Sequence, residues 1–344
     1  MERLSATLTD MVRPVIGGVQ VHVEGTCFAV ACICSLGYNV RRKLRNGSWD
    51  SGWHLSTAAH CTPEFGQTSG RPAGQPTLGS PIGTEFLDPP TFTNAEDSAC
   101  PVGRKCRRSD FGLIQYSITN LAFGKIAWPS LGSTAITATR WVTGVYPPFD
   151  GTPTHMVGRT SGRTSGQVLA TCADINFALV DVWLICQGRG SFANDRGDSG
   201  GPVVRETGVP DEVWSVGTFI GSDPQGRAVF STTSQFLAEL EGTGTGTYHL
   251  DISAHPPPGV SISGHTFLPP GVACTWMANV SGGVPSYSIE WSGLFSGSGS
   301  RIAGVTSSSG WLFVRVTDRA GHTGEDSIFI TVDESAPTPP DCNE

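Results

Sequence analysis

The sequence has few charged residues and no long apolar run. Aspartate, glutamate, lysine and arginine make up 15% of the 344 residues, and the formal net charge is −8. Proteins that bind nucleic acid concentrate positive charge on one face, so this function has little support. No apolar segment has the length of a membrane span. The dense basic cluster Arg41, Arg42, Lys43 and Arg45 is typical of a solvated hairpin tip.

Metal-binding cysteine pairs of the CxxC type are also absent, although the chain has ten cysteines. An even number of cysteines in a chain of low charge predicts disulfides and an oxidising compartment, and no zinc site is expected. Residues 1–12 contain no sustained apolar segment that would serve as a signal peptide. Either the start is truncated or mis-set, or a propeptide is handled separately. Intracellular residence is the alternative, and it leaves the cysteines unexplained.

Glycine and proline are abundant, with 44 and 24 residues. Short apolar runs lie between these turn-forming residues, and this pattern predicts an all-β fold. One short helix is expected after Thr233 or Ser234, where Phe236, Leu237 and Leu240 would share a face. Strands are expected at residues 26–36, 112–118, 135–146, 178–186 and 213–220.

The segment from Gly197 to Pro202, with the sequence GDSGGP, is the main indication of function. Its glycines allow a sharp turn that brings the N–H groups of Gly197 and Ser199 toward one point. Such a pair can hold the negative oxygen of a tetrahedral acyl intermediate, with Ser199 as the nucleophile. The alternative interpretation is a glycine-rich surface turn that happens to contain a serine.

A nucleophilic serine needs a base and a carboxylate that orients the base. His60 ends an apolar segment, adjoins Cys61 and precedes turn-forming residues, which favours a fixed base over a surface histidine. Asp110 begins an apolar segment, and burying its carboxylate is costly without a partner such as His60. An ordinary strand-capping aspartate is the alternative for Asp110.

The chain order His60, Asp110, Ser199 is that of the chymotrypsin-like serine proteases. The sequence resembles the bacterial secreted branch of that family, which includes the streptogrisins and α-lytic protease. Similar segments are residues 34–40, the histidine motif at 57–61 and the Gly-Thr-rich stretch at 158–168. The resemblance extends over roughly residues 15–240 and implies two six-stranded antiparallel β-barrels.

This resemblance also implies the role of each site residue. Ser199 would be the nucleophile, His60 the general base and acid, and Asp110 the residue that orients the imidazole, with the N–H groups of Gly197 and Ser199 as the oxyanion hole. A charged specificity pocket is not expected, because Arg196 can neutralise Asp195. The implied substrate-binding residues are Ala193, Asn194, Ile220, Gly221 and Ser222.

Asp198 needs a positive partner to hold the oxyanion loop in its working shape. Arg159 stands where bacterial members supply an internal arginine, whereas Val15, Ile16 and Gly17 are similar to the new N-terminus of zymogen-type members. Arg159 is favoured, because a guanidinium stays charged at any relevant pH and binds a carboxylate through two bonds without cleavage.

The cysteines allow a pairing scheme. The resemblance implies a bridge between Cys34 and Cys61 beside the histidine. Spacing suggests Cys100 with Cys106, just before Asp110, and Cys172 with Cys186 across a hairpin. Elimination leaves two further pairs, Cys27 with Cys32 and Cys274 with Cys342.

The length and the composition predict several parts. Residues 1–14 would be an N-terminal extension or propeptide remnant, 15–240 the protease domain and 241–247 a Gly/Thr linker. Residues 248–334 are expected to form an immunoglobulin-like β-sandwich, with strands at 272–280, 287–291, 310–316 and 326–332. The tail at 335–344, rich in proline and acidic residues, would be disordered unless Cys342 is bridged.

The leading hypothesis is a secreted, monomeric serine endopeptidase that acts on peptides or proteins without any cofactor. The alternatives are a non-catalytic, protease-like adhesion or binding protein and an esterase with the same triad. The sandwich is expected to be a spacer. A glycan or cell-surface ligand on it would need an exposed Trp291 or Trp311 as a stacking platform, and buried core aromatics are the commoner outcome.

Overall fold

The computed structural model describes residues 6–27, 30–44, 49–177, 180–242, 248–251, 257–283, 286–318, 322–340 and 342. The chain divides into two compact units, residues 1–254 and 255–344. Of the predicted linker, residues 241 and 242 belong to a helix, and 243–247 lie outside the described residues. Among the described residues, no helix combines the length and the apolar character that crossing a membrane requires.

The first unit is built almost entirely from strands, joined by the 3₁₀ turn Ala59–Cys61 and followed by the helix α1 (Thr233–Gly242). Its strands are β1 (Val15–Gly17), β2 (Gln20–Cys27), β3 (Val30–Ser35), β4 (Asn39–Leu44), β5 (Trp49–Thr57), β6 (Pro72–Gly74), β7 (Pro81–Leu87), β8 (Cys106–Arg107), β9 (Gly112–Tyr116), β10 (Leu121–Trp128), β11 (Ala138–Val145), β12 (Pro153–Gly158), β13 (Gly162–Phe177), β14 (Val182–Gly190), β15 (Pro202–Glu206), β16 (Glu212–Ser222), β17 (Ala228–Thr232) and β18 (Tyr248–Asp251).

Six strands from the second half of the first unit form a closed antiparallel barrel. Their order is β16-β15-β12-β13-β14-β17, and pairing between β16 and β17 closes the ring. The barrel interior is filled by apolar side chains from these strands and from the residue Phe192 that follows β14. They are Met156, Val168, Phe192, Val203, Val216, Phe219, Ala228 and Phe230. The expected trypsin-like all-β fold is confirmed.

Strands β2 to β7 and β9, together with β18, form a second sheet with the order β18-β4-β5-β9-β7-β6-β2-β3, whereas β1, β10 and β11 continue the barrel's sheet beyond β16. No pairing closes this sheet within the described part of the chain, so it is not the closed six-stranded ring that the resemblance implied. Strand β18 pairs antiparallel with β4 through Tyr248↔Leu44 and Asp251↔Arg41. Residues 248–251 therefore belong to the first unit and not to the sandwich in which the sequence analysis placed them.

The segment before residue 15 packs into the first unit. The side chain of Leu8 is fully buried, and its backbone donates to the carbonyl of Thr134 at 3.0 Å. The guanidinium of Arg13 donates to the Gln75 side chain at 2.5 Å. Residues 6–14 are thus part of the folded unit and not a separate extension; residues 1–5 lie outside the described residues.

Several predicted strands occur with shifted ends, and one is different in kind. The predicted strand 26–36 spans the end of β2 and all of β3, which pair antiparallel from Gln20↔Ser35 to Cys27↔Val30, and residues 28–29 lie outside the described residues. The predicted strand 178–186 begins later, at Val182, and residues 178–179 lie outside the described residues. The other three predicted strands correspond to β9, β11 and β16, and the predicted helix to α1.

The second unit consists of two sheets. The smaller has the order β19-β21-β24 and the larger β20-β26-β25-β22-β23. Their strands are β19 (Gly259–Ser263), β20 (Phe267–Leu268), β21 (Ala273–Ser281), β22 (Ser288–Gly293), β23 (Gly297–Ser298), β24 (Arg301–Val305), β25 (Gly310–Thr317) and β26 (Thr323–Val332).

One apolar core is shared by these two sheets. Trp276 on β21 is fully buried, and Trp291 on β22 is 3% exposed. Each indole N–H finds a carbonyl, that of His265 for Trp276 and that of Gly299 for Trp291, which removes the cost of burying a polar atom. Burial excludes Trp291 as a stacking platform for a ligand.

All ten cysteines are paired, and the pairs are those that the sequence analysis put forward. The bridge between Cys274 and Cys342 ties the tail to β21, so this part of the tail is fixed by a covalent bond. The pairs are Cys27–Cys32, Cys34–Cys61, Cys100–Cys106, Cys172–Cys186 and Cys274–Cys342.

A fully buried ion pair involves Arg107, three residues before the predicted acid Asp110. Arg107 donates to the Asp88 carboxylate at 2.5 Å and to the carbonyl of Phe111 at 2.9 Å, and neither charged side chain is exposed. Burial raises the pKa of Asp88, and the positive charge of Arg107 opposes that shift. The positive charge of Arg107 therefore favours the ionised form of this buried carboxyl group, next to the segment that leads into Asp110.

We expect Arg107→Met to lower the free energy of unfolding by about 3–5 kcal/mol, because it leaves Asp88 buried without a counter-charge. Denaturant titration measures this loss. The matched control is Arg104→Met, whose ion pair with Asp181 at 3.6 Å is exposed to solvent and contributes at most about 1 kcal/mol. Equal unfolding midpoints for the two variants would contradict the prediction.

Candidate active site

His60 and Asp110 are joined by two hydrogen bonds. The imidazole Nδ1 lies 2.5 Å from Asp110 Oδ2, and the backbone N–H of His60 donates to Oδ1 at 2.9 Å. Asp110 is fully buried and His60 is 7% exposed. A carboxylate at Nδ1 places the ring proton on that nitrogen and makes Nε2 the basic atom. The fold therefore brings together an imidazole and a buried carboxylate from positions 50 residues apart.

The position of Asp110 is fixed by residues on strands β17 and β14 of the closed barrel. Its backbone N–H donates to Ser231 Oγ at 2.9 Å, and that hydroxyl in turn donates to Gln187 at 2.7 Å. The next residue, Phe111, stacks on Phe236 of α1 with ring centroids 3.9 Å apart. The helix predicted from the sequence thus packs directly behind the acid.

Ser199 lies in a tight turn between the closed barrel and the second sheet. Its carbonyl accepts from the N–H of Ser35 at 2.8 Å, and the N–H of Gly200 donates to Phe219 at 2.8 Å. Gly200 has φ +87°, and a side chain there would collide with the Ser35 carbonyl and with Thr57. Only glycine allows both sheets to approach the serine this closely. Ser199 and His60 line the same cleft.

The N–H groups of Gly197 and Ser199 are the two amides of this turn that remain available. Around them, the N–H groups of Asp195, Arg196, Asp198, Gly200 and Gly201 all donate to protein acceptors. Within the described residues, no protein acceptor receives the N–H of Gly197 or of Ser199. Amides that are free beside a nucleophile are suited to hold a developing negative charge.

Asp198 is held by backbone amides, and no ion pair with Arg159 is formed among the described residues. Oδ1 of the buried carboxylate accepts from the N–H groups of Thr160 and Ser161 at 2.8 and 3.0 Å, and Oδ2 accepts from Asp195 at 2.8 Å. These three hydrogen bonds from backbone N–H groups already satisfy the carboxylate. The direct contact that the resemblance implied is therefore replaced by backbone donors.

Arg159 lies next to this loop with other partners. Its Nε donates to the Gln20 side chain at 2.6 Å, and its Nη1 lies 3.3 Å from Thr160 Oγ1. Burial lowers the pKa of Arg159, and the nearby negative charge of Asp198 opposes the shift. The guanidinium therefore supports the loop at longer range and braces Thr160, which itself donates to the carbonyl of Arg196 at 2.7 Å.

The alternative partner, a new N-terminus at residues 15–17, is placed elsewhere. These residues form β1, which pairs parallel with β10 through Val15↔Leu121 and Gly17↔Ile126. The N–H of Val15 donates to the carbonyl of Asn120 at 3.0 Å. In this arrangement Ile16 is a buried strand residue.

A cleft of about 310 Å³ lies beside Ser199. Four of the five predicted substrate-binding residues line it: Asn194, Ile220, Gly221 and Ser222. Ala193 does not line the cleft, since it is exposed and its carbonyl is engaged by Thr164 at 2.7 Å. Asp195 and Arg196 are both exposed at the cleft and carry opposite charges.

Three residues of the site were missed by the sequence analysis. Phe177, at the end of the long strand β13, lies edge-on to His60 with ring centroids 5.2 Å apart. Ser35 donates to the carbonyl of Gly197 and accepts from the N–H of Arg159, each at 2.9 Å, and Gln20 receives Arg159. Phe177 and Gln20 stand in no motif, and Ser35 lies within the similar segment 34–40 but was assigned no role from the sequence.

Cys34, His60 and Cys61 come close enough together to resemble a metal-ligand set. The two sulfurs, however, are joined in a disulfide, and only thiolates bind zinc firmly. This cluster fixes the histidine turn to β3.

Tyr38 joins the two sheets behind the site. Its hydroxyl lies 2.8 Å from the carbonyl oxygens of Val203 and Gly217, on β15 and β16. The residue is 1% exposed, and burial raises the pKa of the phenol. The hydroxyl thus stays protonated and donates to strands that flank the Ser199 turn.

Residues 38–238 match the family model described as Trypsin, and no curated protein matches the chain. Similar solved structures include a glutamic acid-specific serine protease with a histidine triad in substrate binding (18% identity, TM-score 0.47, 68% of this chain and 100% of that chain). Thermobifida fusca protease A (18%, 0.46, 69% and 97%) and Nocardiopsis protease (16%, 0.46, 69% and 98%) are two others. The resemblance stated from the sequence is confirmed.

We expect Tyr38→Phe to lower the free energy of unfolding by about 1–3 kcal/mol, because two buried carbonyl groups lose their donor. Denaturant titration of the full chain measures it. Tyr146→Phe is the control, since the Tyr146 hydroxyl has no hydrogen bond within the described part of the chain, and its ring stacks on Trp214 in either form. An unchanged midpoint for Tyr38→Phe would show that the hydroxyl does not join the sheets.

Proposed function

Since the chain belongs to the trypsin family, we propose that it is a serine endopeptidase in which Ser199 is the nucleophile, His60 the general base and Asp110 the orienting acid. The observation that carries this proposal is the 2.5 Å contact between His60 Nδ1 and Asp110 Oδ2, made in a cleft that Ser199 also lines. A base with its proton fixed on Nδ1 can accept the serine proton at Nε2.

The reaction proceeds through an ester. Oγ of Ser199 bonds to the peptide carbonyl carbon while its proton passes to His60 Nε2. The C–N bond then breaks, and the departing amine takes that proton from His60. Water attacks the ester carbonyl, gives a proton to His60 and displaces Ser199, which recovers it. Every proton is carried by a protein side chain or water.

The negative oxygen of each tetrahedral intermediate is held by the N–H groups of Gly197 and Ser199. Their lack of a protein acceptor supports this role, because donors that are already oriented need no reorganisation during the reaction. The three hydrogen bonds from backbone N–H groups to Asp198 support a loop that keeps these two donors in place in the uncleaved chain. Arg159 also supports this loop, through the hydrogen bonds that its guanidinium donates to the side chains of Gln20 and Thr160.

The substrate side chain would enter the cleft beside Asn194, Ile220, Gly221 and Ser222. Ser222 donates to Asn194 at 2.5 Å, which leaves a neutral polar pair between apolar walls. Asp195 and Arg196 balance each other at the cleft. We therefore expect an uncharged side chain before the cleaved bond.

Export and the second unit complete the proposal. Ten cysteines in five disulfides support an oxidising, extracellular location, where the chain acts as a monomer on peptides or proteins. The two sheets around the Trp276 and Trp291 core support an immunoglobulin-like sandwich.

We expect an organophosphorus reagent to label Ser199 at one mole per mole, because a serine activated by His60 reacts with such electrophiles. Mass spectrometry of the labelled peptide measures this, and casein cleavage is followed in parallel. Ser199→Ala should lose both, with kcat/KM at least about 10⁴-fold lower. The control is Ser117→Ala, an exposed serine of the same unit. No labelling would indicate a binding protein, and ester cleavage without peptide cleavage would indicate an esterase.

We expect Gly197→Ala to lower kcat by about 10²–10³ with little change in KM, because it displaces an amide that acts only on the transition state. Gly197 has φ +95°, and a methyl group there would lie 2.5 Å from Arg159 Nη1 and 2.9 Å from Thr160 Oγ1. Gly208→Ala is the matched control, since Gly208 has φ +88° but open space around it. Equal activity of the two variants would rule out this amide as a donor.

A further inference from the structure

Exposed aromatic side chains are concentrated on one face of the second unit. Among the described residues, five phenylalanine or tryptophan side chains are at least 44% exposed, and four of them lie on the outer face of the five-stranded sheet. The fifth, Phe149, belongs to the first unit. We call these four the aromatic band: Phe267, Phe329, Trp311 and Phe313.

The band runs across three neighbouring strands. Trp311 on β25 lies directly opposite Phe329 on β26, and Phe267 on β20 pairs with Thr331, two residues from Phe329 on the same face. The Trp311 ring is 6.1 Å from that of Phe313 and 5.3 Å from that of Phe329. The rings of Phe313, Trp311 and Phe329 therefore form one continuous apolar strip, and Phe267 lies beside it on the neighbouring strand β20.

The strip adds nothing to the core of its unit. Along β25, the buried side chains are Leu312, Val314 and Val316, and they alternate with the exposed Trp311 and Phe313. A sheet with one solvated face normally carries polar residues there. An exposed group of aromatic rings on such a face marks a surface that binds something.

Polar groups adjoin the band on the same face. Arg315 pairs across the strands with Glu325 and with Glu290, and its Nε donates to Glu325 at 2.6 Å. These three residues line a groove of about 360 Å³ together with Ser292 and Phe313. The groove thus has an aromatic wall, a guanidinium, a hydroxyl and the carboxylates of Glu290, Glu325 and Asp326, the last of which already accepts from the N–H of Ile262.

We propose that this face binds a neutral polysaccharide. A sugar ring has an apolar face of C–H groups, which packs on an aromatic ring, and a rim of hydroxyls that both donate and accept. Glu290 and Glu325 offer acceptors and Arg315 offers donors at the rim of the band. The band, which spans three strands, is long enough to hold more than one sugar ring of the same chain.

The charges of the face select against other ligands. Two carboxylates and one guanidinium give a net charge of −1 for the charged row Glu290, Arg315, Glu325, which disfavours anionic polysaccharides and anionic lipid surfaces. Protein interfaces have a centre depleted of charged residues, whereas here the charged row borders the rings directly. The hydroxyl groups of a neutral sugar can donate to the carboxylates and accept from the guanidinium.

The test uses the full chain with Ser199→Ala, so that self-digestion cannot interfere and binding is measured independently of catalysis. The chain is mixed with insoluble cellulose, chitin or β-1,3-glucan, and depletion from the supernatant gives a dissociation constant. We expect retention on at least one of the three. Added Trp311→Ala should weaken it about tenfold or more, whereas Trp311→Tyr should restore most of it, because stacking needs an aromatic face.

Phe149→Ala is the matched control, because among the described residues it removes the one exposed aromatic side chain outside the band and should leave retention unchanged. Thermal unfolding separates binding from stability, since Trp311 also forms a cross-strand pair with Phe329. The proposal is overturned if no polysaccharide retains the chain, or if Trp311→Ala and Phe313→Ala both bind as the parent does. Retention on anionic phospholipid vesicles alone would also overturn it.

Discussion

The buried hydrogen bond between Asp110 and His60 is the interaction on which the first unit depends. A carboxylate without solvent contact is stable only if its oxygens are paired, and here both oxygens accept from the same histidine. This requirement brings the turn after β5 to the start of β9. It also explains why so much of the surrounding structure serves to hold the acid, from the Ser231 hydroxyl to the stacked rings of Phe111 and Phe236.

The serine is held by a different set of contacts, which all cross between the two sheets. Ser35 donates to the carbonyl of Gly197 through its side chain and to that of Ser199 through its backbone. Tyr38 reaches the carbonyls on β15 and β16. These residues take no part in bond making. They link the sheet that leads into the His60 turn to the Ser199 turn beside the closed barrel. Their contribution is positional, and a change of a fraction of an ångström there would be felt at the site.

The second unit shows how one residue type acquires two roles. Trp291 and Trp311 stand on adjacent strands of the same sheet, but the pleat directs one into the core and the other to solvent. The alternation of side chains along a strand decides this. Burial makes the first a structural residue whose indole N–H is satisfied by Gly299, and exposure makes the second a surface group with aromatic neighbours.

The sequence by itself determined what is encoded locally or by order. Short segments or the order of residues along the chain carry these features: the GDSGGP turn, the order His60, Asp110, Ser199, the alternating strands and the helix with Phe236. The even number of cysteines indicated that all of them could form disulfides. Only the tertiary structure decided which residues meet across the sheets. Phe177 against His60, Ser35 against Gly197, the backbone donors of Asp198 in place of Arg159, and the strand 248–251 in the first sheet depend on register between segments far apart in the chain. No short stretch of sequence carries that register, because it is set by packing of the whole unit.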